Sequence, residues 1–326
     1  MSEIAAAQSV STSIFRCPIH HEPMDMADPT KIVGVGHGEF YPVVDGIPIL
    51  LPDKQERDRV AQTNWGDTAT TAQPLDFYNQ TRDHDEYCRS ELDVVRVEID
   101  KWLPSRKSTG PTLEIGSGKG ALQGAGDNYV ALDYSFTALQ THIKSNFVRV
   151  CATAERMPFA DNTFAFIFTV AALEHVPNAD LAFNEIHRIL KPGGIAFLCP
   201  AWHCAQYNCD GLPVRPYKDL SFTKKLAKFA LPVLQKTAYK ALMRIPGRII
   251  RRGIWSLSKK PTRFRFKKLK PDYQHFWLSD SDAASSLDSH EGCLFFQSRG
   301  YDVLNPGSSA KAQLACRHIG VVVRKP

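Results

Sequence analysis

The stretch from Thr112 to Gly120, TLEIGSGKG, most constrains what this chain can fold into. A short apolar run breaks into glycines at every second position, just where a helix would start. An extended segment ending this way brings backbone N–H groups to the mouth of a parallel sheet, where they can line a nucleotide or nucleoside pocket. Alone, the glycine pattern is a weak signal. A phosphate loop is disfavoured, because Lys119 is not followed by Ser or Thr in a complete GxxxxGK spacing. Asp133 closes the next apolar run, which begins at Tyr129, and its carboxylate can accept hydrogen bonds from both hydroxyls of a ribose.

Around this centre the hydrophobic period is that of an α/β sheet. Strands are expected at Thr112–Ile115, Tyr129–Leu132, Phe147–Cys151, Phe164–Thr169 and Ile195–Cys199, with helices at Phe136–Ile143 and Asp180–Leu190. The second helix shows an apolar stripe of Leu181, Ile186, Ile189 and Leu190, and the KPGG run from Lys191 to Gly194 should terminate it. Lys119–Gly126 is short for a crossover helix and has room for one or two turns. After Pro200 the alternation stops for almost eighty residues. It resumes at an acidic helix start, Ser279–Ala283, followed by strands at Tyr301–Leu304 and Ile319–Val323, the last of them returning antiparallel. Residues 201–278 thus read as an insertion after the fifth strand, placed to shape a substrate site.

The first 55 residues have a different character. Short β-branched runs separated by turn residues suggest a small β unit with too little core to stand alone. Cys17, His20, His21 and His37 invite a metal reading, but no CxxC pair is present and His20 and His21 are adjacent, so no metal is expected. Residues 56–104 read as a linker or lid anchored by Trp65, Phe77 and Tyr78, followed by a helix between Tyr87 and Trp102. Eight dispersed cysteines suit reduced thiols better than a disulfide framework. The N-terminal residues lack a basic start and an apolar core, so a cytoplasmic protein is expected.

The EIGSGKG pattern from Glu114 to Gly120, Asp133, the AERMPFADNTF segment from Ala154 to Phe164, and LEHV and LKPGG within 170–194 together resemble the class I S-adenosylmethionine-dependent methyltransferases, small-molecule branch. The similarity covers about residues 105–200 directly and 279–326 by topology. It implies a Rossmann-like seven-stranded sheet with helices on both faces, S-adenosyl-L-methionine as cofactor, and methyl transfer by direct displacement. The implied donor residues are Glu114, Gly116, Ser117, Gly118 and Gly120 in the loop and Asp133 on the ribose. Tyr134 covers the adenine, and Thr153, Ala154, Glu155 and Val170 line its edge. Thr153 stands where the family usually presents an aspartate to the adenine amino group, and its hydroxyl is a weaker acceptor. The Cys-Pro opening at Cys17 and the VDGIPILL close ending at Leu51 resemble a degenerate, metal-free domain of the Trm112-like type.

Displacement at a sulfonium methyl needs a nucleophile in line with the leaving sulfur and shielded from water, and a hydroxyl acceptor gains from a general base. His175 in the LEHV run, His203 and Tyr207 just after the fifth strand, and His275 are the candidates for acceptor-side catalysis. Each has the alternative of lining or packing.

The formal charge of +6 is unevenly spread, with lysines and arginines concentrated between 218 and 270. The run from Leu220 to Pro246 is basic and amphipathic. That composition suits a helix lying on an anionic membrane surface or a helix pair packed with its lysines in water. The first would point to a lipid-linked or membrane-delivered acceptor; the acceptor is otherwise expected to be a small molecule. RNA or protein methylation is an alternative prompted by the basic insertion, but nucleic acid is disfavoured: TVAALEH occupies the place of the N/D-P-P-Y/F motif used in base methylation. A donor-binding scaffold without catalysis is the remaining alternative.

Overall fold

The computed structural model describes residues 12–25, 28, 30–65, 73–80, 89–103, 110–126, 128–142, 147–275, 277–316 and 320–326. The chain divides into two compact units, one of residues 1–170, 181–198 and 325, the other of 171–180, 199–324 and 326.

In the first unit, strands β1 (Met24–Asp25), β2 (Lys31–Gly34), β3 (Phe40–Val44) and β4 (Ile47–Pro48) form an antiparallel meander in sequence order. It has four strands, where its short apolar runs imply two or three. Ile32, Tyr41, Ile47, Ile49 and Leu51 are buried. The Ile49 bridge to Cys151 and the Leu50 N–H bond to the Cys151 carbonyl at 2.8 Å tie this sheet to its neighbour, the support that so small a core requires. Helices α1 (Lys54–Gln62), α2 (Pro74–Asn79) and α3 (Arg89–Trp102) follow. Asp53 caps α1 by accepting the Glu56 N–H at 2.9 Å.

The central strands are β5 (Thr112–Ile115), β6 (Tyr129–Asp133), β7 (Val148–Cys151) and β8 (Phe164–Val170), with α4 (Phe136–Gln140) between β6 and β7 and α5 (Ala179–Ile189) after β8. β5 pairs in parallel with both β6 and β8, and β6 with β7. Every residue of β5 is buried, as expected of a strand covered on both faces. Then come β9 (Leu190–Cys199), α6 (Gln206–Cys209), α7 (Phe222–Leu234), α8 (Thr237–Ser258), the short pair β10 (Lys267–Lys268) and β11 (Ser285–Ser286), α9 (Ser289–Gln297), β12 (Asp302–Asn305), α10 (Ala310–Leu314) and β13 (Val321–Arg324). The large sheet has seven strands in the order β12-β13-β9-β8-β5-β6-β7, with β13 antiparallel to β12 and helices on both sides.

Several local expectations change. Helix α5 ends at Ile189, ahead of the KPGG run as expected, but that run already belongs to β9, which begins five residues before Ile195, because the Gly193 N–H bonds the Lys325 carbonyl at 3.0 Å and the Lys325 N–H bonds that of Gly194 at 2.9 Å. The buried stripe of α5 is Ala179, Ala182, Phe183, Ile186 and Ile189, while Leu181 faces water. Spacing by three and four places Phe183, not Leu181, on the core side. The acidic run at Ser279–Ala283 is turn; α9 starts ten residues later, where Asp288 accepts the His290 N–H at 2.8 Å. The expected helix end at Ile143 and strand start at Ile319 lie outside the described residues.

The insertion does follow the fifth strand of the large sheet. Its helices α7 and α8 carry Phe222 (75% exposed), Phe229 (79%) and Leu257 (89%) among lysines and arginines. Among the described residues, no helix is long and apolar enough to cross a membrane.

Candidate functional site

At the tip of β5 the chain turns through Gly116, Gly118 and Gly120, all at positive φ, a conformation that costs an L side chain about 1–2 kcal/mol or more. Gly116 and Ser117 both donate their N–H groups to the Leu132 carbonyl, at 2.8 and 3.1 Å, which locks the loop to β6. Asp133, at the end of β6, then receives the Gly118 N–H on Oδ2 at 2.7 Å and the Ser135 N–H on Oδ1 at 2.7 Å. The carboxylate is fixed from both sides. A β-carbon at Gly118 would meet no atom within 4 Å, so bare backbone faces open space beside that carboxylate. This cradle fits an adenosyl group.

Glu114 lies beneath the loop, 3% exposed, and receives the Tyr129 hydroxyl. Burial pushes its carboxyl up to about 8, against the pull of that hydrogen bond. It is therefore largely protonated at neutral pH and supports the loop without adding charge. Tyr134, next to Asp133, donates its hydroxyl to Glu56 Oε1 at 2.9 Å and stands edge-on to Tyr78 at 6.3 Å. Burial raises Glu56 as well. The Thr153 hydroxyl accepts the Glu155 N–H at 3.3 Å, Ala154 is buried, and Val170 ends β8.

Sequence reasoning missed two supports. The buried His142 reaches the Gly118 carbonyl with Nε2 at 3.0 Å, and burial lowers its pKa. Helix α2 is pinned to the start of α4: Ser135 Oγ donates to the Tyr78 carbonyl at 2.5 Å, and Thr137 meets Asn79 through both its N–H, at 3.2 Å, and its hydroxyl, at 2.9 Å. A histidine two residues past a short helix carries no pattern. The Ser135-x-Thr137 pair is a legible N-cap, but its partner lies almost sixty residues away.

The acceptor-side candidates all belong to the second unit. His203, at φ +71°, lines a cavity of about 340 Å³ together with Tyr207, apolar Leu234 and Met243, and cationic Lys240 and Arg244. His203 Nε2 faces Arg248 Nη2 at 3.4 Å, and Arg248, 7% exposed, grips Asp288 at 2.7 and 3.1 Å. A guanidinium only donates, so Nε2 is the acceptor and the ring proton sits on Nδ1. Burial, Arg244 and Arg248 hold His203 down to about 4, despite Asp288, so it is neutral at pH 7. Burial raises the Tyr207 phenol, with Arg244 pulling the other way. His175 lies in a short helical turn, Leu173–His175, with Nδ1 3.2 Å from Asp282 Oδ2. Burial opposes its charge, but Asp282, Glu174 and Asp280 together raise its pKa. His275 is exposed, stacked on Trp277 at 4.8 Å and paired with Asp272 at 3.4 Å.

In the N-terminal meander, the Cys17 thiol lies 3.1 Å from the Tyr41 hydroxyl and receives the His20 N–H at 3.4 Å. The His20 and His37 rings stack at 3.8 Å, and His37 pairs with Glu22 at 2.8 Å. All seven cysteines among the described residues are buried free thiols.

A family described as a methyltransferase domain matches residues 113–198. A sterol 4-C-methyltransferase of Caenorhabditis elegans is 44% identical over 45 residues, 14% of each chain. A demethylmenaquinone methyltransferase of Staphylococcus carnosus is 28% identical over 44% of this chain and 52% of its own. A ubiquinone/menaquinone biosynthesis C-methyltransferase of Brucella canis is 31% identical over 37% and 49%. The chain thus spans about half or less of the length of these curated relatives. Among solved structures, a protein of Pyrococcus horikoshii superposes with a TM-score of 0.33 at 21% identity, covering 36% of this chain and 57% of that one. With the glycine loop and Asp133 at its centre, the segment 113–198 is a class I methyltransferase domain of the S-adenosylmethionine-binding type.

Proposed function

We propose that the whole chain is a methyltransferase that uses S-adenosylmethionine to methylate a lipophilic small molecule. The observation that carries this reading is the carboxylate of Asp133, fixed by the Gly118 and Ser135 N–H groups beside an open glycine. When bound, S-adenosylmethionine supplies an electrophilic methyl on a sulfonium. Asp133 holds the ribose, Tyr134 covers the adenine, Thr153 to Glu155 and Val170 border it, and the 114–120 loop lies along the methionyl part.

On the acceptor side, the cavity in the second unit offers apolar walls at Leu234 and Met243 and a cationic edge at Lys240 and Arg244. These suit an amphiphile with an acidic or hydroxylated head. His203 Nδ1–H and the Tyr207 hydroxyl would orient that head by donating hydrogen bonds. The curated relatives act on sterols and on quinone precursors, which favours a lipophilic acceptor over a nucleic acid or protein. The exposed apolar and basic faces of α7 and α8 would rest on an anionic membrane from which such an acceptor is drawn. In this reading the insertion at 201–278 is the acceptor cap, and a hydroxyl is the favoured methyl acceptor.

The test incubates the full chain with methyl-labelled S-adenosylmethionine and a panel of hydroquinones, prenylated phenols and sterols in anionic vesicles. Label partitioning into the organic extract supports the reading. Label found in added RNA or protein instead would replace it.

A further inference from the structure

The geometry points to a divalent cation site in the second unit, formed by Glu174, His175 and Asp280, that takes Mg²⁺ or Mn²⁺. Candidate ligand atoms of these three side chains all lie within 4.8 Å of one another. Octahedral coordination at about 2.1 Å places ligand atoms about 3 Å apart at adjacent positions and about 4.2 Å apart across the ion. Closing the present spread to that size needs movements of less than about 1 Å.

A further feature aims at an ion. Glu174 is fully buried, and among the described residues neither carboxylate oxygen accepts a hydrogen bond. A carboxylate buried without a donor costs several kcal/mol, and a cation removes that cost. His175 stands beside it, with Nε2 3.8 Å from Glu174 Oε1 and Nδ1 3.2 Å from Asp282 Oδ2. An ion bound by Glu174 would therefore have an imidazole at hand whose other nitrogen faces a carboxylate.

The backbone is built to keep the three together. Glu174 and His175 share one short helical turn, and the Glu174 carbonyl accepts the Ala284 N–H at 2.9 Å, which holds the 280–284 segment against it. Asp280 sits at φ +62°, a left-handed position that aspartate and asparagine tolerate better than other side chains. Two carboxylates and one imidazole form an oxygen-rich set that suits Mg²⁺ or Mn²⁺, with water completing the shell.

The test needs no methyl transfer and therefore stands or falls independently of the activity proposed above. The full chain, stripped with a chelator and dialysed, is titrated with MnCl₂ while the six-line electron paramagnetic resonance signal of free Mn²⁺ is followed. One Mn²⁺ per chain is expected, displaced by excess MgCl₂. E174Q and D280N should each weaken binding at least ten-fold, whereas D58N, on the exposed face of α1, should not change it. D280N retains a side chain that tolerates the left-handed backbone, so it decides the matter if E174Q fails to fold. Absence of saturable binding to the wild-type chain, or equal binding by D280N, overturns the site.

Discussion

The ring of His142 stands against the α-carbon of Gly120: a β-carbon there would lie 2.9 Å from Nδ1 and 3.0 Å from Cε1 and Cγ. The same imidazole meets the Gly118 carbonyl at 3.0 Å, so one side chain sets both the width and the pitch of the donor loop. Gly120 is also at φ +79°, which adds backbone strain to any substitution. G120A should lower stability by about 1–3 kcal/mol and weaken S-adenosylhomocysteine binding at least ten-fold. H142A in that background should restore only the steric part. Thermal unfolding and calorimetry of the single and double variants check this.

Glu114 gives a pH dependence with a definite sign. Its carboxyl rises from an ordinary 4.5 to about 8 on folding because it is buried. Below pH 4.5 both folded and unfolded forms hold the proton. Between 4.5 and 8 only the folded form does, so the contribution to stability falls as pH rises, and it levels off above 8. E114Q keeps an acceptor for Tyr129 without the titration. The melting temperature of E114Q relative to wild type should therefore climb from pH 5 to 8 and then stay constant.

The acid limb belongs to other groups. Burial holds both His203 and His290 down to about 4, and His290 is fully buried. Each contributes stability that is complete above pH 6.5 and lost as pH falls through 4, because the unfolded chain takes up protons first. A falling melting temperature between pH 6.5 and 4 is expected, with a shallower fall in H290L.

The exposed faces of α7 and α8 yield a binding prediction. Replacing Phe222 and Phe229 with glutamate removes about 1.5–3 kcal/mol of transferable apolar side chain at each position and adds repulsion from anionic lipid. F222E/F229E should lose flotation with phosphatidylserine vesicles while its circular dichroism stays unchanged. Equal flotation of the variant and the wild type would remove the membrane from the proposed function.

The core of the fold was legible because buried parallel strands write themselves as apolar runs. Thr112–Ile115 is observed with the bounds its sequence predicts, and Tyr129–Asp133 is longer by one residue. Failures cluster where distant backbone decides the outcome. Lys191–Gly194 becomes strand only because Lys325 pairs with it, and Ser279–Ala283 has helix-start chemistry yet is held in turns. The same holds at the site. Asp133 and the glycines announce themselves, since their spacing is local. His142, Asn79 and the Arg248–Asp288 grip do not, because they join segments between 22 and 58 residues apart, from Gly120 to His142 and from Asn79 to Thr137.

The central claim is that Asp133 holds the donor ribose while accepting two backbone N–H groups. Asparagine has one oxygen for those two donors, so in D133N its NH₂ group must face either Gly118 N–H or Ser135 N–H, and the loop must open. The most direct measurement is calorimetric titration of S-adenosylhomocysteine into the wild-type chain and D133N. Saturable one-to-one binding by wild type, weakened at least a hundred-fold in D133N, is the predicted result. No binding by the wild-type chain, or equal affinity in D133N, would contradict it.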